Sequence, residues 1–146
     1  MSWLQRRFGG LRAIIAGTSW LPADERTAIN RELNEIVNVE RIQVQERRRL
    51  LQVLHASRAF NSFLLSTVRL HHPSTPLNAI GPLLDEMTKL PTGTRGHLHP
   101  SDCTRYKRKI GDPRNRVMHS ARALPNPAEV YGLLGEVATC VSDVLR

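Results

Sequence analysis

Apolar positions recur along most of this chain at intervals of three and four, the spacing that gathers side chains on one face of an α-helix. No strand-like alternation or hairpin signal competes with that pattern. After Pro22, the acidic pair Asp24 and Glu25 marks a helix start, because carboxylates favour the positive end of the helix dipole. From there to about Leu70 the chain has neither Pro nor Gly. Ile29, Leu33, Ile36 and Val37 form a first stripe, and Leu50, Leu51, Leu54, Phe63, Leu64 and Thr67 continue it. Nearly fifty residues exceed an ordinary globular helix, so the pattern predicts two long helices. The break falls at Val39–Val44, where the stripe loses phase, or at His55–Ser57; one very long helix is the alternative.

His71-His72-Pro73-Ser74 ends this element, and Ser74 or Thr75 caps a helix opened by Pro76 and buried through Leu77, Ile80, Leu83, Leu84 and Met87. Pro91 to Pro100 is a loop. Ser101 begins a short basic helix carrying Arg105, Lys107, Arg108 and Lys109, which Gly111 stops. Asp112-Pro113 then opens a second short helix, with Asp as cap and Pro in the first helical position. Pro125-Asn126-Pro127 caps the last helix, whose core face is Val130, Leu133, Leu134, Val137, Val141, Val144 and Leu145. Residues 1–20 read as a strap or short helix that packs Trp3 and Phe8 on the body; Gly9, Gly10 and Arg12 interrupt any continuous apolar leader. The expectation is a single all-α domain over residues 1–146, a bundle of about five to six helices.

Charge adds a partner to this picture. A formal net charge of +8 on 146 residues, most of the positive charge being Arg, draws a polyanion, although base composition of the genome also enriches Arg. Aromatic residues are only 5% and scattered, so recognition of RNA would rest on phosphate and shape rather than on base stacking. Cys103 and Cys140 lie in separate helical segments, which makes no disulfide framework and favours a reduced, cytoplasmic setting. No stretch approaches a membrane span. His71, His72, His97 and His99 sit near loops with Cys103 close by, but their spacing matches no zinc-ligand pattern. Asp85-Glu86 is adjacent rather than convergent, so paired-metal chemistry lacks its carboxylates. The Gly-rich loop of nucleotide hydrolases is also missing, and the reading calls for no metal and no cofactor.

The chemistry concentrates in RNRVMH, Arg114 to His119. Asn115 and His119 are four apart and share a helix face, whereas Arg114 is roughly 140° round from His119. An imidazole can move the proton of a ribose 2′-OH or of the leaving 5′-oxygen, and a guanidinium can neutralise charge growing on phosphorus. The amide can hold either the His or a phosphate oxygen. Ile110 to Ser120, IGDPRNRVMHS, resembles the signature of the HEPN superfamily, in which Arg, a polar residue and a short spacer lead to His at the opening of a late helix.

That resemblance implies a metal-independent endoribonuclease acting as a toxin or antiviral effector. It places Arg114 and His119 in the catalytic pair and Asn115 at the polar position. It also implies a site shared between two protomers of a homodimer, and a partner protein that restrains or triggers the activity. Some members carry a Tyr two residues after the His that a partner enzyme modifies; here that position is Ala121, which puts this mode of control in doubt. Arg105, Lys107, Arg108, Lys109 and Arg116 are the expected RNA contacts. Val117 and Met118 are expected to pack beneath the motif or across the dimer interface, the former being favoured. Two other readings remain. One is a catalytically silent module of the same fold that binds RNA, a nucleotide or a partner. The other is a helix-turn-helix DNA-binding segment within Ser101–Ala121.

Overall fold

A computed structural model describes residues 1–146, all of them, and contains helices joined by loops with no strand. The first helix, α1 (Trp3–Ala16), is held by a capping box: Ser2 Oγ accepts from the Gln5 N–H at 3.1 Å and Gln5 Oε1 accepts from the Ser2 N–H at 2.7 Å. It buries Phe8, Leu11 and Ile15, and its Trp3 stacks on Tyr131 near the start of the final helix with ring centroids 4.6 Å apart. The N-terminal segment is therefore a full helix docked on the body.

The long apolar stretch divides into α2 (Ala23–Asn38) and α3 (Gln45–Arg69), separated by a 3₁₀ turn at Val39–Arg41. The break lies where the stripe loses phase. The stripe itself needs correction in α3: Leu50, Leu51 and Leu54 are only half-buried, and Gln52, Val53, Ala56, Ser57, Ala59 and Phe60 take the interior. Helix α3 is central, packed by α2, α4 and α7, so small residues at Ala56, Ser57 and Ala59 admit neighbouring helices that the leucine pattern does not mark.

Helix α4 (Ile80–Thr88) starts later than the Pro76 opening expected from the sequence. Thr75 Oγ1 accepts from the Leu77 N–H at 3.2 Å, closing a local turn that competes with helix formation. Ala79, extended and without a capping side chain, precedes the first helical residue. Residues 89–99 then form the expected loop. Gly93 and Gly96 have φ of 86° and 90°, and a Cβ on Gly96 would lie 2.6 Å from Thr67 Cγ2.

The largest departure is in the motif region. Helix α5 (Pro100–Tyr106) is capped by His99, whose Nδ1 accepts from the Ser101 N–H at 3.1 Å. Gly111 does not stop it, and Asp112 does not cap a new helix. The chain runs through a π-turn at Lys107–Gly111 directly into α6 (Asp112–His119). The Asp112 N–H bonds to the carbonyl of Lys107, five residues back. The cause is Pro113, which has no N–H to donate and whose ring would strike the Lys109 carbonyl in a regular helix; a widened turn relieves both conflicts. With no tight turn between α5 and α6, the helix-turn-helix reading of Ser101–Ala121 loses its geometry.

The last helix, α7 (Pro127–Leu145), opens as expected: Asn126 Oδ1 accepts from the Glu129 N–H at 2.8 Å, with Pro127 in the first position. One cluster of 30 buried residues draws on α1 to α5, the π-turn and α7, and contains nothing from α6. That single core leaves α6 as a projection. No helix is long and apolar enough to cross a membrane.

Candidate active site

Helix α6 contributes one buried residue, Pro113, and an eight-residue helix has no independent stability in water. It persists as a continuation of α5, with Pro113 anchored at its base and Arg116 bonded to Glu129 of α7. The Arg116 hydrogen bond holds the Glu129 carboxyl below the usual glutamate range. The rest of α6 is free to face outward.

Arg114, Asn115 and Met118 line one wall of a cleft of about 690 Å³. The opposite walls are Leu54, Arg58 and Asn61 of α3 and the first turn of α4. Arg114 Nη1 donates to Asn115 Oδ1 at 3.0 Å, so the amide oxygen orients the guanidinium and the amide N–H groups stay available as donors. Arg58 is paired with Glu32 at 2.9 Å and Lys107 with Asp85 at 2.5 Å. Arg114 is the one cation of the cleft without a carboxylate partner. The Asp85 hydrogen bond raises the Lys107 pKa, with burial opposing it.

His119 closes α6, exposed and without a side-chain hydrogen bond, and does not line the cleft. Within one chain, then, Arg114 and Asn115 share a cavity wall and His119 lies outside it. Met118 is 42% exposed and Leu124, just beyond, 49%, whereas Val117 is half-buried. The expectation that Met118 packs into the core is thus corrected: α6 gives no side chain to the buried cluster and turns Met118 to the cleft and solvent.

Of the expected RNA contacts, Arg108 and Lys109 are exposed with no carboxylate partner. Arg105 binds Asp102 at 3.0 Å and Glu136 at 3.1 Å and lies over the Tyr106 ring. With Lys107 on Asp85 and Arg116 on Glu129, three of the five spend charge inside the protein. The loop histidines are each engaged locally: His71 with the Arg95 carbonyl, His72 with Glu86, His97 with the Leu90 carbonyl and His99 at its cap. No three His, Cys, Asp or Glu side chains gather in a group able to hold a metal. Both cysteines are buried and free, and desolvation raises each thiol's pKa.

Sequence reasoning missed the α3 wall. Ser57, Arg58 and Asn61 form a polar strip on α3, and their spacing with Leu54 puts them on one face. That polar run was the available signal. Behind it, Glu32 is 7% exposed and accepts from Arg58 as well as meeting His55 Nδ1 at 2.6 Å, which fixes the guanidinium at the cleft edge.

No family profile, curated protein or solved structure matches the chain.

Proposed function

We propose that this protein is a metal-independent endoribonuclease of the HEPN type, acting as a toxin or antiviral effector. The observation that carries the reading is the state of the motif side chains. Among the cations that line the main cleft, Arg58 and Lys107 are each paired with a carboxylate, and Arg114 alone is left unpaired, oriented by Asn115. In this mechanism an imidazole accepts the ribose 2′-OH proton as the 2′-oxygen bonds to phosphorus. The bond to the 5′-oxygen breaks, that oxygen takes a proton, and the products are a 2′,3′-cyclic phosphate and a 5′-hydroxyl. Arg114 and the Asn115 amide N–H groups neutralise the non-bridging oxygens as charge builds.

His119 lies off the cleft wall, so the complete constellation calls for a second copy of α6. A two-fold axis supplies a base and an acid on opposite sides of phosphorus, and exposed Met118 and Leu124 offer apolar area for that contact. The same separation of His119 from Arg114 within one chain favours the second reading, a silent module that binds RNA, a nucleotide or a partner. Incubating the purified protein with total RNA in EDTA decides between them. The nuclease yields discrete fragments ending in 2′,3′-cyclic phosphate, lost in His119→Ala; intact RNA under these conditions, or cleavage only with added Mg²⁺, overturns the proposal.

A further inference from the structure

The arginines at the start of α3 take no part in the chemistry of the main cleft. Arg48 and Arg49 instead line a second, smaller groove of about 260 Å³, where the N-terminal ends of α1, α3 and α7 meet. The two depressions share no residue. Leu4, Val130 and Leu134 make the groove apolar, and Tyr131, stacked on Trp3 and 58% exposed, stands at its edge. Tyr, Trp and Arg are the side chains most concentrated in protein interfaces, since each couples a large apolar or planar surface to a polar group.

Three polar groups of this groove are unspent. Gln52 is 6% exposed, and its amide makes no hydrogen bond within the protein. The unmatched polar atoms that are fully sealed from solvent belong to other residues, so the Gln52 amide opens into the groove. A largely buried amide without a partner costs stability until something supplies one. Arg48 donates to the Ile42 carbonyl at 3.0 Å and Arg49 to Gln45 Oε1 at 3.0 Å. Neither meets a carboxylate, and each guanidinium keeps most of its N–H donors. One carboxylate shares the groove with them, Glu40, which accepts from the Ser2 hydroxyl at 2.9 Å.

We propose that this groove docks an acidic peptide segment of a partner protein. An apolar side chain of the peptide sits against Leu4, Val130 and Leu134, its carboxylates meet Arg48 and Arg49, and one of its main-chain amides pairs with Gln52. The volume falls below the roughly 300–1,000 Å³ of small-molecule sites and suits one anchoring side chain of a larger molecule. Arginine binds a carboxylate through two hydrogen bonds at once, and the net charge of +8 draws an acidic partner toward the surface. A peptide brings N–H donors together with carbonyl and carboxylate acceptors, so it can match Glu40, Gln52 and both arginines. A nucleic-acid strand would set its phosphates against Glu40, and a phosphate has no proton to give the amide oxygen. No motif residue enters the groove, so this docking is independent of the nuclease reading and leaves the main cleft open.

Amide NMR of the isotopically labelled full chain tests this with blocked heptapeptides whose central residue is Leu, Ile, Met, Phe or Trp and whose flanks are Asp or Glu. At least one peptide should shift the Gln52 side-chain amide and the Trp3 indole signals to saturation. Its counterpart with Asn and Gln flanks, and the one with a central Ala, should each bind about tenfold more weakly. Arg49→Ala and Tyr131→Ala should likewise cost about tenfold. Both side chains stand at the edge of the groove and outside the buried cluster, so these variants keep the fold. Gln52→Met keeps the volume and removes the amide; it should weaken the peptide and melt no lower than the wild type, because the amide has no partner to lose. Arg69→Ala, at the far end of α3, lowers the net charge equally and should change nothing. Equal weakening by Arg69→Ala would reduce the effect to bulk charge and overturn the proposal. So would the absence of saturable shifts with every peptide, or neutral peptides binding as tightly as acidic ones. An oligoribonucleotide of equal charge that moves the same two signals at lower concentration than the best peptide would assign the groove to nucleic acid and overturn it as well.

Discussion

Arg114 and His119 are assigned different work, and their replacement should show it. Arg114→Ala should slow single-turnover cleavage about 10²–10³-fold by removing charge stabilisation. His119→Ala should slow it about 10²–10⁴-fold by removing proton transfer. Neither should lower the melting temperature appreciably, since His119 is exposed and Arg114 has no carboxylate to lose. Asn115→Ala frees the guanidinium without deleting it, and a loss of about tenfold is expected; a loss equal to that of Arg114→Ala would make the amide an equal partner. Gly96→Ala makes the contrasting case, far from the motif. Its positive φ and the 2.6 Å approach of a Cβ to Thr67 Cγ2 should cost about 1–3 kcal/mol in urea unfolding with catalysis per folded molecule unchanged. The motif was legible because its residues lie within six positions. Ser57, Arg58 and Asn61 were not, because their relation to Arg114 exists only after α3 and α6 have packed on one another.

At the scale of elements, the long helices and the α7 cap were readable from periodicity and from Asn126-Pro127, whereas the start of α4 and the joining of α5 to α6 were not. Pro and Gly mark a conflict in the hydrogen-bond ladder but do not say whether the chain stops or widens its turn; at Gly111–Pro113 it widens. Replacing Pro113 by Ala restores the missing N–H and removes the ring clash, so the π-turn should relax toward a regular helix and rotate α6 against α3. Cleavage should fall while the helical CD signal is retained, and amide exchange across Lys107–Gly111 should slow; unchanged exchange would show that Pro113 does not set the turn. A second test concerns acid. The Glu129 carboxyl is held below its ordinary value by the Arg116 hydrogen bond, so its stabilising effect is complete above the unfolded pKa, near about 4.3, and is lost as pH falls through the lower folded value. Exchange of the Glu129 amide should therefore accelerate only at a pH below the ordinary glutamate range. In Arg116→Ala the onset should move up toward the ordinary glutamate range.

For the whole molecule, the all-α class and the absence of competing strand signals could be read from apolar spacing alone, because one buried cluster serves nearly every element. What spacing does not convey is which element is left out of that cluster. Helix α6 is, and with a net charge of +8 the consequence is a balance: apolar Met118 and Leu124 favour association through α6, while like charges oppose it. Sedimentation at micromolar concentration should show a monomer–dimer equilibrium shifted toward dimer by sulfate or RNA. Met118→Glu should weaken association and cleavage together. Full specific activity in a strictly monomeric sample would remove the shared site.

The two buried thiols give the fold a chemical clock. Cys140 is wholly enclosed in the middle of α7, and Cys103 of α5 is 5% exposed behind Asp85. A thiol reagent can reach either only when its helix lifts away, so each labelling rate counts openings of a different part of the molecule. Equal rates would mean that the bundle opens all at once. Faster labelling at Cys103 would mean that the α5–α6 arm detaches while α7 stays seated, and that the segment carrying Arg114 and His119 rides on the least secure layer of the protein.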